Sequence, residues 1–208
     1  TDRFFSANKR LKGFPEVFST KSSYNLEEVE KYLSNPFKPI TCVMVEPIQC
    51  TAGDIHHDSQ FFNKLRELCD KYEVPLIFDE IQIGFGATGK LWYYQHLDIV
   101  PDMVLFGKKT QVSGLMCTEK LNGIFEKENV PRLEVTWNSD TIDMIRSKHI
   151  IKAYKEYDIL KNVEERGQQI KDILSDVPGI DNLRLIGLII GFDLENQQAR
   201  DRFMEVSR

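Results

Sequence analysis

Residues 74–80 read Val-Pro-Leu-Ile-Phe-Asp-Glu, and residues 101–108 read Pro-Asp-Met-Val-Leu-Phe-Gly-Lys. Both are short apolar runs of the kind that form buried strands, and both end in charged side chains. A third run at residues 40–45, Ile-Thr-Cys-Val-Met-Val, precedes a helical pattern for which Asp58 is the expected N-cap. Continuous apolar strands that alternate with helices predict an α/β fold with a mostly parallel sheet.

The second half of the chain is richer in helix-forming residues. Helices are predicted at residues 141–157 and 158–174, followed by a strand at residues 183–194 and a polar, helix-prone end. The chain lacks a starting Met and stops partway through this last strand–helix unit. We therefore expect it to be a piece of a longer protein.

The composition of the 208 residues is that of an ordinary globular protein, with 41% hydrophobic and 28% charged residues. A net charge of −5 with mixed signs argues against a nucleic-acid surface, and no apolar run is long enough to span a membrane. The N-terminus has no signal-peptide layout. Cys42, Cys50, Cys69 and Cys117 are scattered, which favours reduced thiols in a cytoplasmic protein over disulfides or a zinc site.

Charged residues at the ends of the two quoted runs are candidates for a ligand site, because open parallel sheets bind ligands beyond the carboxyl ends of their strands. Asp79 and Glu80 follow one run, and Lys108 follows the other. Since successive strand residues face opposite ways, Asp79 and Glu80 are not expected to face the same ligand. The residues alone leave two interpretations open: a ligand site, or a loop cap and a solvated surface lysine.

A glycine-rich stretch and a histidine pair are weaker signals. Residues 84–90 fit both Gly-x-Gly-x-x-Gly and Gly-x-x-x-x-Gly-Lys. No amphipathic helix opens at Gly89, and Leu91 replaces the Ser or Thr that binds magnesium, so both patterns predict a flexible loop. A nicotinamide-linked oxidoreductase stays a third-ranked alternative. His56 and His57 predict a solvated helix start rather than a metal site.

Several stretches in the same order resemble the class III (ornithine/GABA-type) aminotransferases. Residues 45–49 match the family's Val-Glu-Pro-Ile-Gln strand end, and residues 101–109 match its Pro-Asp-Ile-Val-x-Phe-Gly-Lys-Lys segment. Residues 78–90 are similar to a loop whose pattern in the family is Asp-Glu-Val-Gln-Thr-Gly-Phe-Gly-Arg-Thr-Gly. The lysine 6-aminotransferase branch is the most similar at residues 108–114, 136–137 and 141–146.

The resemblance implies the fold type I of pyridoxal-phosphate (PLP) dependent transferases. Residues 1–157 would form part of the large cofactor-binding domain, including the interdomain helix. Residues 158–208 would form the start of the small C-terminal domain.

The resemblance also implies roles for four residues around PLP, with no metal. Lys108 would form the Schiff base and move the proton between the substrate carbon that bears the amine and the cofactor carbon. Asp79 would keep the pyridine nitrogen protonated, and Gln82 would bond to the ring's phenolic oxygen. Thr136 would reach the cofactor phosphate of the neighbouring subunit, which implies a homodimer.

The implied activity moves the terminal amino group of lysine or a similar diamino acid to a 2-oxo acid such as 2-oxoglutarate. The alternatives are an ornithine, acetylornithine or GABA aminotransferase, and a non-catalytic remnant of the fold. Four departures from the family pattern favour the remnant. Thr51 replaces a glutamate that in the family covers and uncovers an arginine, Ile83 replaces Thr, Ala87 replaces Arg, and Asn138-Ser139 replace Gly-Gly.

Overall fold

A four-stranded sheet lies at the centre of the computed structural model, which describes residues 25–121, 123 and 140–206. Along the chain the helices and strands are α1 (Leu26–Leu33), β1 (Val43–Val45), β2 (Ile48–Gln49), β3 (Ile55–His56), α2 (Ser59–Lys71), β4 (Leu76–Asp79), β5 (Met103–Phe106), β6 (Gly114–Cys117), α3 (Thr141–Glu156), α4 (Ile159–Ser175), β7 (Ile180–Ile186), β8 (Ile189–Leu194) and α5 (Gln197–Val206). Short 3-10 turns lie at Cys50–Ala52, Tyr93–His96, Lys108–Thr110 and Glu119–Leu121.

The central sheet has the strand order β1–β4–β5–β6. Strands β1, β4 and β5 run parallel, with Val45 beside Phe78 and Asp79 beside Leu105. Strand β6 runs antiparallel to β5, which the sequence did not predict. The mostly parallel α/β sheet is therefore confirmed, and the carboxyl ends of its three parallel strands lie at one edge.

Helix α2 packs its apolar side on the sheet. As predicted, Asp58 caps its first turn, because Oδ1 accepts a hydrogen bond of 2.8 Å from the N–H of Phe61. The fully buried residues of this helix are Phe62, Leu65 and Cys69. The Phe62 ring meets the ring of Phe78 in β4 edge-on, with centroids 5.5 Å apart. Each such buried side chain stabilises the fold by about 1.5–3 kcal/mol, so α2 holds β4 in place.

Asp102 joins the start of β5 to two other elements. Its Oδ2 accepts a hydrogen bond of 2.8 Å from the N–H of Leu76 in β4 and one of 2.7 Å from Arg66 in α2. The Asp102 residue is only 7% exposed. Because a buried carboxylate is costly without partners, these bonds fix the relative positions of the two strands whose ends carry the candidate site.

The predicted helices at residues 141–157 and 158–174 are confirmed by α3 and α4. The single strand predicted at residues 183–194 is wrong. This segment belongs to the antiparallel hairpin β7–β8, in which Ile186 pairs with Ile189. Gly187 has a φ of +56° and makes the tight turn of this hairpin. The next residue, Leu188, is apolar, so the apolar pattern gave no sign of a turn.

The glycine-rich loop at residues 84–89 is packed, which contradicts the predicted flexible loop. The hydroxyl of Tyr154 in α3 donates a hydrogen bond of 2.7 Å to the carbonyl of Phe85. The N–H of Leu188 donates one of 2.8 Å to the carbonyl of Ala87. Helix α3 and the hairpin turn therefore hold this loop from two sides.

The predicted domain boundary falls at the junction of α3 and α4. Tyr157 is the C-cap of α3, and Asp158, with a φ of +48°, precedes α4. The division into residues 1–157 and 158–208 stays a prediction. Among the helices of the described ranges, none combines the length and the apolar character needed to cross a membrane.

Candidate active site

The carboxyl ends of β4 and β5 bring three of the four predicted site residues to one edge of the sheet. Asp79 is the last residue of β4, Gln82 lies in the turn that follows, and Lys108 comes two residues after β5. The Nζ of Lys108 donates a hydrogen bond to Oε1 of Gln82. Thr136, the fourth predicted residue, lies outside the described residues.

The backbone at Lys108 adopts a conformation that is rare for a residue with a side chain. Gly107 is extended, and Lys108 has a φ of +54°, which costs about 1–2 kcal/mol. Lys108 then opens a 3-10 turn in which the N–H of Gln111 donates a hydrogen bond of 2.9 Å to the Lys108 carbonyl. Such strain persists where the surrounding structure imposes it, which is common at functional sites.

Asp79 is half-buried at the end of its strand. Its Oδ1 accepts a hydrogen bond of 3.1 Å from the N–H of Ile81, which is the loop-cap contact that the residues alone allowed. The same carboxylate is near a second one. Burial first, and the charge of Asp79 second, raise the pKa of Glu46, whereas the charge of Lys108 lowers it. Asp79 therefore combines a capping contact with a place in a charged cluster.

Glu80 faces away from this cluster, as the alternation of strand residues predicted. It is 1% exposed, and its two carboxylate oxygens accept hydrogen bonds from the N–H groups of Tyr93, at 2.6 Å, and Tyr94, at 3.1 Å. Burial raises the pKa of Glu80 to about 7, although both hydrogen bonds lower it. Glu80 therefore has a structural role, because its two hydrogen bonds hold the 3-10 turn at Tyr93–His96.

Three neighbours of Lys108 were given no role by the sequence: Glu46, Cys50 and Lys109. The Nζ of Lys109 donates a hydrogen bond of 2.5 Å to the carbonyl oxygen of Gln82. Burial first, and the charge of Lys108 second, lower the pKa of Lys109. Burial raises the pKa of the Cys50 thiol to about 12, so it is protonated at neutral pH. Glu46 and Lys109 stand inside the matched motifs, but no pattern says which way their side chains point.

The positions that depart from the family pattern lie in different surroundings. Thr51 is exposed in the turn after β2, whereas Ile83 is 1% exposed and part of the core. The backbone of Ala87 is held by the N–H of Leu188. Residues 138–139 lie outside the described residues. Of the described departures, only Thr51 is exposed.

A cavity of about 450 Å³ lies between the central sheet and α3. Its lining is mostly apolar and includes Trp92, Phe106, Met116, Met144 and Ile151. Asp79, Gln82 and Lys108 are not part of that lining. Within the described ranges, no cluster of three or more His, Cys, Asp or Glu side chains could hold a metal ion. The candidate site is thus the charged edge of the sheet.

The motif order and this edge geometry agree with a comparison against protein families. The model of the class III aminotransferases matches residues 5–208. The chain belongs to the class III aminotransferase family. The L-lysine-epsilon aminotransferase of Mycobacterium tuberculosis is 37% identical over 172 residues, which cover 79% of this chain and 38% of that protein. The 4-aminobutyrate aminotransferase of Schizosaccharomyces pombe is 33% identical over 187 residues, which cover 86% and 39%.

Solved structures of class III aminotransferases share the fold. The lysine aminotransferase of M. tuberculosis superposes with a TM-score of 0.78 at 34% identity, covering 86% of this chain and 43% of that one. An ornithine aminotransferase of Plasmodium falciparum gives a TM-score of 0.73 at 26% identity, covering 90% and 50%. The predicted PLP-dependent transferase fold type I is confirmed. The chain spans about two fifths of the length of the curated relatives it matches.

Proposed function

We propose that the full-length protein is a PLP-dependent aminotransferase that moves the terminal amino group of lysine, or of a similar diamino acid, to a 2-oxo acid. The observation that carries the proposal is the meeting of Lys108 and Gln82 beside Asp79 at the carboxyl edge of the parallel strands. These are the three described residues to which the family resemblance gives cofactor roles.

The chemistry of this edge suits the ring end of PLP, which the family implies as cofactor. A carboxylate, a primary amide and a primary amine are grouped there: Asp79, Gln82 and Lys108. Because Oε1 of Gln82 accepts from Lys108, its Nε2 is the donor that can face the ring's phenolic oxygen. The carboxylate of Asp79 can hold a proton on the ring nitrogen. Bound PLP draws electrons from the substrate carbon that bears the amine and so acidifies its C–H bond.

Lys108 carries the two tasks that need an amine. It is the point of covalent attachment, and its free amine moves the proton between the substrate carbon and the cofactor carbon. Its side chain is exposed, so substrate can reach it. The left-handed backbone at Lys108 turns that side chain toward Gln82, which sets the direction from which the amine approaches.

The choice of lysine as amino donor rests on the relatives. L-lysine-epsilon aminotransferases of three genera are 32–37% identical to this chain. The 4-aminobutyrate aminotransferases of S. pombe and Dictyostelium discoideum are 33% and 34% identical, so a GABA or ornithine aminotransferase is the second candidate. The exposed Thr51, in place of a gating glutamate, is the observation that favours the third candidate, a non-catalytic remnant.

We also propose a homodimer with a shared active site and a cytoplasmic location. The dimer is supported by the match of Thr136 to the family residue that reaches the neighbouring subunit's phosphate. The location is supported by the four cysteines Cys42, Cys50, Cys69 and Cys117, because none of them forms a disulfide bond. Light scattering of the full-length protein would test the dimer, since a monomer that transaminates at full rate contradicts it. Fractionation of cells that make the full-length protein would test the location.

The decisive experiment is reduction of the full-length protein with borohydride in the presence of PLP, followed by peptide mass spectrometry. We expect a visible absorption band before reduction and a stable label on Lys108 after it. Lys108→Ala should lose both the label and transamination while its circular dichroism is unchanged. Lys152→Ala, at an exposed lysine of α3, is the matched control and should keep both. A label on Lys109, or no label, contradicts the proposal.

The amino donor is determined by the rates with lysine, ornithine and 4-aminobutyrate under the same conditions. A higher kcat/KM for lysine supports the first candidate. A higher value for ornithine or 4-aminobutyrate supports the second. Labelling of Lys108 without turnover on any of the three supports the remnant.

A further inference from the structure

We propose that Lys109 is a positioning residue that acts through Gln82: its ammonium holds the backbone of the Gln82 turn, and thereby sets where the Gln82 amide meets Lys108. This inference rests on the proposed function. It adds a residue that does not touch the reacting atoms but fixes a group that does.

Two adjacent lysines bind the same residue. The Nζ of Lys108 donates to the side-chain oxygen of Gln82, and the Nζ of Lys109 donates to its main-chain oxygen at 2.5 Å. Neighbouring residues of a strand point to opposite faces, so an extended backbone would have separated these two side chains. The left-handed φ of Lys108 ends the strand geometry and starts the 3-10 turn. With this backbone conformation, both ammonium groups converge on the turn that carries Gln82.

The turn that carries Gln82 is held from two sides. Within the turn, the N–H of Gly84 donates a hydrogen bond of 2.7 Å to the carbonyl of Glu80. From outside the turn, the ammonium of Lys109 donates to the carbonyl of Gln82, which lies between Glu80 and Gly84 in sequence. Hydrogen bonds from charged donors are about twice as strong as neutral ones, so this contact is a substantial share of what fixes the turn.

The surroundings of Lys109 explain why its ammonium is committed to this contact. The residue is half-buried, and a charged group that leaves water needs an acceptor. The positive charge of Lys108 repels the Lys109 ammonium, and the nearby Cys50 thiol, which is protonated at neutral pH, offers it no negative charge. The carbonyl of Gln82 is thus the strong acceptor that compensates its loss of water.

The first test needs no cofactor. Amide hydrogen exchange of the full-length protein without PLP reports on turn closure at Gly84, whose N–H bonds to Glu80. Lys109→Met should speed exchange at that amide by about tenfold, because the charged donor is lost. Lys109→Arg should stay within about twofold of wild type, since a guanidinium can donate to the same carbonyl. Lys152→Met is the control and should change nothing. Equal exchange in wild type and Lys109→Met overturns the proposal.

The second test asks whether Lys109 acts through Gln82. In the full-length protein, PLP affinity is measured by its visible band for Lys109→Met, Gln82→Ala and the double variant. We expect Lys109→Met to weaken PLP binding by about tenfold, and the double variant to be no weaker than Gln82→Ala alone. If the double variant loses affinity by the product of the two single losses, Lys109 and Gln82 act independently and the proposal is overturned. If wild-type protein binds no PLP, the proposed function fails, while the exchange experiment still decides the role of Lys109.

Discussion

The Oε2 of Glu80 accepts a hydrogen bond of 2.6 Å from the N–H of Tyr93 in the core of the protein. This bond and its partner from Tyr94 favour the ionised carboxylate, but burial outweighs them and raises the pKa to about 7. A buried carboxyl group that titrates near neutral pH makes stability depend on pH. Its contribution can be separated from those of other groups by removing its charge.

We predict that the protein loses stability as pH rises from about 4.5 to about 7 because of Glu80. Below pH 4.5 the group is protonated in both the folded and the unfolded state. Above its folded pKa it must be ionised while buried, which costs up to about 3 kcal/mol. Urea unfolding of wild type and Glu80→Gln at pH 5 and 8 measures this.

Glu80→Gln should be less stable than wild type at pH 5, because an amide NH₂ cannot accept the second backbone hydrogen bond. The loss is about 1–3 kcal/mol. The difference in unfolding free energy between wild type and Glu80→Gln should become smaller as pH rises to 8. A gap that is constant from pH 5 to 8 would show that Glu80 does not titrate in this range.

We predict that Asp79→Asn lowers the transamination kcat proposed for the full-length protein by at least about a hundredfold while leaving the fold intact. The amide keeps the capping contact with Ile81 but cannot hold a proton on the ring nitrogen. Losing one partner of a buried charge pair costs several kcal/mol, and each ~1.4 kcal/mol is tenfold in rate. Asp58→Asn is the matched control, because Asn caps a helix as well as Asp does. Normal turnover in Asp79→Asn would leave Asp79 as a loop cap only.

We predict that Thr51→Glu shifts donor preference toward terminal amines. The family glutamate covers an arginine when the donor presents a terminal amine, and the short, neutral Thr51 cannot do so. Thr51 is exposed, so a longer side chain can be accommodated at this position. The measured quantity is the ratio of rates with lysine against glutamate as donor. Thr41→Glu, an exposed position before β1, is the control, and an equal ratio in both variants would place the gate elsewhere.

We predict that Gly167→Ala destabilises the protein by up to about 2 kcal/mol. Ala favours a helix over Gly by about 1 kcal/mol, but here the added Cβ collides with the carbonyl oxygen of Gly187. Overpacking of this kind typically costs about 1–3 kcal/mol, and backbone cannot yield as a side chain does. Urea unfolding measures the change, with Lys171→Ala on the exposed side of α4 as control. A stabilised Gly167→Ala would show that the hairpin turn moves away from α4 at little cost.

Local patterns along the chain were sufficient for much of the fold and for part of the site. The apolar runs at residues 74–78 and 101–106 predicted two parallel strands, because a strand buried on both faces needs apolar residues throughout. The Asp58 cap and the opposite directions of Asp79 and Glu80 followed from local geometry. These features depend on residues that are close in sequence, and the spacing of apolar and polar residues along the chain reflects them directly.

Contacts between distant segments decided the rest. The hairpin turn at Gly187 was hidden because the apolar Leu188 follows it, although this residue is exposed and contacts the glycine-rich loop through its backbone N–H. The antiparallel direction of β6 follows from its pairing with β5. The convergence of Lys108 and Lys109 on Gln82 depends on the left-handed φ angle of Lys108. Such an angle can be expected from sequence at Gly or Asn, but not at Lys. The amino-acid sequence was sufficient to identify the family, the three parallel strands and the residues available for chemistry. Which of these residues meet depends on the folded arrangement, because side-chain direction at a strained turn is set by packing from elements far away in the chain.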